Sequence, residues 1–413
     1  MLNLEYEILN MKKLSVLFVI FSTLGLSAQD VIQWRGTDRT GIYNETGLMK
    51  SWPAEGPAML WSYVGLGEGH SSVAIANDKI YITGLTDGNG HLFVFDLNGK
   101  LLNKKAYGPE WDTSYNGSRG TVTVNDGKLY IYSGAGSLAC FDEKTLNVIW
   151  QKHIVDDFAG SNIRWGVNES PLIVGEKVII TPGGKEHNVV ALDKKTGNLL
   201  WSCAGEGDIP AYCSPLYVSD QQIPQIVTIT ANHVLGINAG TGEKLWSFPY
   251  HNMRNIHPNT PLYSNNMLLC VFGYGKGSVM LRLTDGGRKV EQVWENKEFD
   301  SKTGGAVKIG DYVYGSGDNN KYWFCLDWKT GEQKYKDRSI AVGNVIADAD
   351  GMLYCYSDRG EMALVKATPE KFDLVSQYPI TLGTEQHWAH PVIYKGVLYV
   401  RHGDTLMAYK ISG

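Results

Sequence analysis

The sequence predicts an all-β protein, an eight-bladed β-propeller of four-stranded antiparallel blades whose last blade is closed by the N-terminal strand. Three observations predict it. A motif of Asp or Asn, then Thr-Gly, then a closing Trp recurs along the chain, with its closing position at 61, 103, 150, 201, 246, 294 and 335 and an eighth near 375. Intervals of that size point to a four-stranded unit repeated around an axis. Each repeat opens with short runs of alternating apolar residues joined by Asn-Asp-Gly, Gly-Glu or Lys-Gly hairpin signals. The 413 residues also hold 47 Gly, 23 Tyr and 12 Trp, the composition of many short strands and tight turns.

Taken in order, the chain begins with an export signal. Lys12 and Lys13 form a positive n-region, Leu14 to Leu26 an apolar h-region, and Leu26-Ser27-Ala28 a cleavage site. Residues 1–28 are therefore expected to be a signal peptide starting at Met11, and the mature protein to be periplasmic or secreted, without a transmembrane span. No Cys follows the cleavage site, so no lipid anchor is indicated. Residues 29–58 form an N-terminal extension expected to pack on the propeller, and residues 59–413 form the propeller itself. The net charge is -5 and no long basic run occurs, so the electrostatic footprint of a nucleic-acid binder is missing. The six cysteines include no CxxC pair, which argues against a cysteine zinc site. Four of the cysteines sit in apolar strand-like runs and are expected to be small buried core residues, while Cys203 and Cys213 flank a loop and could pair. No stretch of the mature chain has convincing helical periodicity.

The repeat is clearest at 191–201, ALDKKTGNLLW, and recurs as FDEKTLNVIW, INAGTGEKLW and LDWKTGEQKY, with weaker copies FDLNGKLLN and LTDGGRKVEQVW. The Asp or Asn accepts hydrogen bonds from backbone N–H groups of the turn that follows it, Thr-Gly makes the turn, and the Trp fills the gap between neighbouring units. The last unit, from His387 to Ile411, lacks its Trp strand, while Met59-Leu60-Trp61-Ser62 stands alone at the other end. The N-terminal strand is therefore expected to complete the C-terminal blade, which removes the open edges of the ring.

This frame resembles the repeat of pyrroloquinoline-quinone (PQQ) enzymes and their non-enzymatic relatives, over roughly residues 59 to 413. The segment QWRGTDRTGIYNETGLMKSWPAEGP resembles the N-terminal extension of bacterial PQQ-like propellers. The resemblance implies the fold. It also implies one kind of chemistry, PQQ with Ca2+, in which the metal polarises the quinone and an Asp or Glu acts as base. Glu169 and Asn259 are the oxygen ligands available for such a metal. No matching Asp base and no vicinal Cys pair is present, and the chain is shorter than those dehydrogenases.

Residues just before the first strand of each blade are expected to converge at one funnel mouth. Those of acid–base type are His70, His257, His390 and Glu169. Those suited to holding a ligand are Arg119, Arg164, Trp165, Tyr212, Asn259, His387 and Trp388. Aromatic faces beside His, Arg and Asn suit a sugar-like or anionic small molecule. The expected function is an exported propeller binding such a ligand, with quinoprotein-like oxidation of sugars or alcohols as its enzymatic form. Two other readings stay open. One is a non-enzymatic interaction propeller similar to BamB, with a protein partner. The other is a polysaccharide lyase or hydrolase, with His as acid or base and Arg holding a uronate.

Overall fold

Asp193 shows how the repeat becomes structure. In the computed structural model, which describes residues 29–303 and 305–413, its Oδ1 accepts from the backbone N–H of Lys195 and Thr196 at 3.0 and 2.8 Å and from the Thr196 hydroxyl at 2.9 Å. That network folds the turn, Gly197 takes φ 71°, and the chain re-enters the sheet at Leu199–Cys203. Asp142 and Asp327 hold their turns the same way, through Thr145 and Thr330.

At four seams the tryptophan that ends one motif lies on the glycine of the next: Trp61 on Gly99, Trp150 on Gly197, Trp201 on Gly242 and Trp294 on Gly331. A Cβ on Gly197 would sit 2.7 Å from the Trp150 ring, and one on Gly242 2.7 Å from Trp201. The indoles donate across the same seams, Trp150 to the Lys194 carbonyl and Trp201 to that of Ala239, both at 3.2 Å. Trp150, Trp201 and Trp246 are 8%, 7% and 6% exposed.

Eight such sheets form the propeller among the described residues. Blade 1 runs from Ala74–Ala76 to Leu101–Pro109, blade 2 from Thr123–Asn125 to Val148–His153 and blade 3 from Leu172–Val174 to Leu199–Cys203. Blade 4 runs from Leu216–Val218 to Lys244–Pro249, blade 5 from Leu262–Ser264 to Lys289–Asn296 and blade 6 from Ala306–Ile309 to Gln333–Asp337. Blade 7 runs from Gly343–Asp348 to Asp373–Pro379. Blade 8 takes Val392–Tyr394, Val397–His402 and Thr405–Lys410 from the C-terminus and its outermost strand, Met59–Val64, from the N-terminus. Trp61 pairs with Ala408, so the ring closes as the unpaired tryptophan strand requires.

Two further features complete the fold. Ile154–Phe158 forms a short helix after blade 2, with the Asp157 carboxylate accepting the His153 N–H at 2.7 Å and Ile154 and Phe158 both buried. At five residues it is too short to leave a periodic signal. All six cysteines are buried and unpaired, so Cys203 and Cys213 do not form a disulfide. The expected signal peptide, 1–28, lies outside the described residues.

The N-terminal extension enters the axis of the ring. Val31 bridges Ile75 of blade 1, the Ile32 carbonyl accepts from Val124 of blade 2, and Ile42–Tyr43 pairs in parallel with Ala347–Asp348, giving blade 7 a fifth strand. Between these anchors, buried Arg39 donates to the carbonyls of Ser170, Pro171 and Pro215 at 3.1, 2.7 and 2.8 Å. Buried Arg35 donates to Ala306, Val345 and Thr40 carbonyls. The two arginines thus tie blades 3, 4, 6 and 7 to one short segment. Each guanidinium satisfies carbonyls that the inner ends of the strands would otherwise leave buried and unpaired.

Candidate functional site

The loops preceding the inner strands are knitted to one another at one end of the propeller. The His70 N–H donates to the Ser118 carbonyl at 2.7 Å and the His257 N–H to that of Ala211 at 3.0 Å. Between them lies a cup of about 250 Å³ walled by six aromatic side chains: Trp34, Tyr115, Trp165, Tyr212, Tyr274 and Trp388. His70, Asn168, Lys302, Thr303 and His390 add polar groups to its lining. Trp34 comes from the extension, which also walls a second cavity through Thr37 and Asp38, so the segment separates the two. Rings pack in pairs around the cup: Trp388 with His70 at 5.0 Å and with Tyr115 at 5.2 Å, and Trp34 edge-on to His390 at 5.3 Å.

Three of the six aromatics stand on left-handed backbone: Tyr115 at φ 47°, Tyr212 at 71° and Tyr274 at 60°. Bulky L-residues rarely adopt that region, at a cost of about 1–2 kcal/mol each. Strain of this kind gathers where a side chain must be presented in one direction.

Arg119 holds the rim together. Its guanidinium donates to the carbonyls of Trp165 and Gly117 at 2.7 Å, Tyr115 at 2.8 Å and Ser114 at 3.2 Å. Burial lowers it to about 10, with Glu110 opposing, so it stays charged at neutral pH. Its role is to position the Tyr115 and Trp165 loops.

The histidines divide by what their nitrogens do. In His390, Nδ1 faces Arg35 at 3.0 Å and Nε2 faces the Thr303 carbonyl at 3.0 Å. Arginine only donates and a carbonyl only accepts, so the ring is neutral with its proton on Nε2. Burial first, then Arg35, pushes it down to about 3. His257 is locked alike between the Asn252 amide and the Ala231 carbonyl, is wholly buried, and is held at about 4, chiefly by burial. His387 hydrogen-bonds Tyr356 and stacks on His402 at 3.6 Å, outside the cup lining. Only His70 keeps both nitrogens buried without a hydrogen-bond partner. Burial, then Arg119 and Arg401, push it down to about 3. The Tyr115 backbone opposes this.

Glu169 and Asn259 lie outside the cup lining. Glu169 is 3% exposed, with Oε2 accepting from the Thr181 N–H at 3.1 Å and Oε1 unpartnered. Burial raises it to about 8 against the opposing Thr181 backbone and Arg39, so its carboxyl is protonated at pH 7. Asn259 spends its amide on the Val271 and Ser301 carbonyls, at 3.1 and 2.7 Å, and its oxygen on the Gly305 N–H at 2.8 Å. A hard cation such as Ca2+ takes six to eight oxygen ligands. Here Glu169 is a single carboxyl, the Asn259 amide oxygen is taken by the Gly305 N–H, and among the described residues no three His, Cys, Asp or Glu side chains group as metal ligands. The donor set does not fit a calcium–quinone pair.

Of the residues expected at the mouth, the cup brings together His70, Arg119, Trp165, Tyr212, Trp388 and His390. Arg164 lies beside it, stacked 4.7 Å over Trp165. His257, Glu169, Asn259 and His387 are packed behind or away from the lining. Reasoning from the repeat missed Trp34, Tyr115 and Tyr274. Tyr115 directly precedes the Asn116 segment and Tyr274 sits in a Gly-Tyr-Gly turn, both readable as signals. Trp34 lies outside the repeat altogether.

Residues 88–337 match the family model described as outer membrane protein assembly factor BamB. A quinoprotein ethanol dehydrogenase of Pseudomonas putida is 25% identical over 163 residues, 34% of this chain and 25% of that protein. The chain spans between 25% and 41% of the length of the curated relatives it matches. The structure of BamB from Moraxella catarrhalis is similar, with a TM-score of 0.63 at 14% identity over 86% of this chain and 99% of that one. So is quinohemoprotein alcohol dehydrogenase from Comamonas testosteroni, with a TM-score of 0.65 at 11% identity over 93% and 81%. Likeness at such identity establishes the fold alone.

Proposed function

The chain belongs to the PQQ-repeat propeller family described as outer membrane protein assembly factor BamB, and on that premise we propose that it is an exported carbohydrate-binding propeller whose cup holds a sugar ring. The six-aromatic wall, half of it on strained backbone, carries this reading. A pyranose presents apolar C–H faces that stack on such rings and hydroxyls that reach the polar groups between them. The Asn168 and Thr303 side chains on the lining are suited to those hydroxyls. A cavity of about 250 Å³ falls just below the ~300–1,000 Å³ of drug-sized ligand sites, room for the end of a chain rather than a length of it.

A strongly anionic ligand has less support inside the cup. Arg119 spends its donors on carbonyls, and Lys302 pairs with Asp318 at 3.0 Å. Quinone oxidation has less support still, since the metal donors do not fit. Family membership favours a second reading, a non-enzymatic interaction propeller that works through a protein partner.

The test is titration of the mature protein with a panel of neutral mono- and oligosaccharides, read by tryptophan fluorescence and calorimetry. Trp165→Ala and Trp388→Ala should each weaken binding by about tenfold or more, on the order of 1.4 kcal/mol, with circular dichroism unchanged. A wild-type protein that binds no saccharide at millimolar concentration overturns the cup reading and leaves the interaction reading.

A further inference from the structure

A groove of about 270 Å³ adjoins the cup and shares Trp165 and Tyr212 with it. Its floor is apolar: Ile163 packs with Tyr212 and Ile256 in a small buried cluster against which Trp165 rests. Two arginines stand on its rim, Arg164 stacked 4.7 Å over the Trp165 ring and Arg254 6.0 Å over Tyr274. Both are exposed, and no carboxylate lines the groove.

These two differ from the arginines inside the propeller. Arg35, Arg39, Arg119 and Arg401 are buried and spend their N–H groups on carbonyls and on side chains of their own protein. Among the described residues, the Arg164 and Arg254 guanidiniums make neither a hydrogen bond nor an ion pair, only their ring contacts. A guanidinium lying on an aromatic face keeps its edge free, and that edge is a fork matched to a carboxylate. Two such forks beside an apolar floor, with no acid between them, complement a group that is apolar on one side and anionic at its edge. A uronate ring has that shape and charge.

We infer that the Arg164–Arg254 groove is a second subsite, which takes a uronate unit of the same glycan whose terminal ring occupies the cup. This rests on the carbohydrate reading of the cup and adds to it the class of glycan. The shared Trp165 ring puts the two units on neighbouring walls of one indole, so the chain leaves the cup across it.

The experiment compares uronate oligosaccharides with the same chains after methyl esterification of their carboxyls, on wild type and the Arg164→Ala/Arg254→Ala double variant. Neither guanidinium holds any part of the fold, so the variant should melt with wild type. The acidic chains are expected to bind wild type about tenfold or more tightly than their esters, and increasingly so as salt is lowered. The double variant should lose that preference while binding the esters as before. A variant that keeps the preference, or poly-glutamate competing as well as the uronate chain, overturns the subsite and leaves the cup. Wild type that binds neither acidic nor esterified chains nor any neutral saccharide overturns both.

Discussion

At the scale of single residues, the cup is made by side chains that its backbone would not choose. Tyr115 is 51% exposed at φ 47°, so packing returns little for the strain it carries. Asn tolerates that conformation far better than Tyr. Tyr115→Asn should therefore leave the free energy of unfolding within about 1 kcal/mol of wild type or raise it, while saccharide binding weakens. Denaturant titration beside a binding isotherm checks both halves. Glu169 supplies a second case. Its folded carboxyl titrates near 8, above the ordinary 4.5, so folding favours the protonated form. The stability associated with it is complete below about pH 4 and is lost as the pH rises towards 8. Glu169→Gln should melt with wild type near pH 4 and above it at pH 8.5, by at most roughly 5 kcal/mol. A variant less stable than wild type at pH 8.5 would contradict the buried, protonated carboxyl. The repeat located His257 and His390 before their strands. It contained no information on the Ala231 and Thr303 carbonyls that occupy their nitrogens, because those partners lie 26 and 87 residues away.

At the scale of the element, the unit of stability is a tryptophan of one blade on the motif glycine of the next. Blade 1 closes with Asn103 in place of Trp, and blade 2 accordingly has Leu146, at φ 54°, where blades 1, 3, 4 and 6 have Gly99, Gly197, Gly242 and Gly331. No indole lies there to exclude a side chain. Blade 5 has a degenerate turn, and there Trp246 donates to the Gln225 side chain at 2.7 Å, which in turn donates to the Gly287 carbonyl. Two glycines of blade 3 separate backbone strain from this contact. Gly197 and Gly175 both have positive φ, 71° and 58°, but a Cβ on Gly175 would meet nothing within 4 Å. Gly197→Ala should cost about 1–3 kcal/mol more than Gly175→Ala, the penalty of overpacking against Trp150. Trp201→Ala, which empties a seam, should cost roughly 3–5 kcal/mol. Equal losses for the two glycine variants would dissolve the seam argument. These pairings were legible in the motif, since each is a local frame that recurs once per repeat.

At the scale of the whole molecule, closure comes from the N-terminus twice. Met59–Val64 completes blade 8 from the outside, and residues 31–43 tie the inner strands from within. A chain beginning at Leu66 would leave the edge of Thr405–Lys410 unpaired and the carbonyls of Pro171, Pro215 and Ala306 without their arginine donors. An open strand edge is a template for another chain. Such a truncation should self-associate by light scattering and melt less cooperatively than residues 29–413. A truncated chain that stays dispersed and melts as wild type does would show that the ring closes without its N-terminal clasp.

The sequence by itself determined the ring: eight repeats, their turns, the Trp61 strand closing the last blade, and the end of the propeller where the pre-strand segments gather. The turns and seams follow from hydrogen bonds and packing within a motif or between motifs one repeat apart, which recur visibly along the chain, and the closing strand follows from the one Trp strand that the C-terminal repeat lacks. Only the tertiary structure decided which of those segments reach the cup, which histidines are spent on carbonyls, that the six cysteines stay unpaired and that Trp34 joins the lining. The physical reason is distance along the chain. Arg35 meets His390 across 355 residues, and a contact made once, between a segment outside the repeat and a blade at the far end, leaves no period to read.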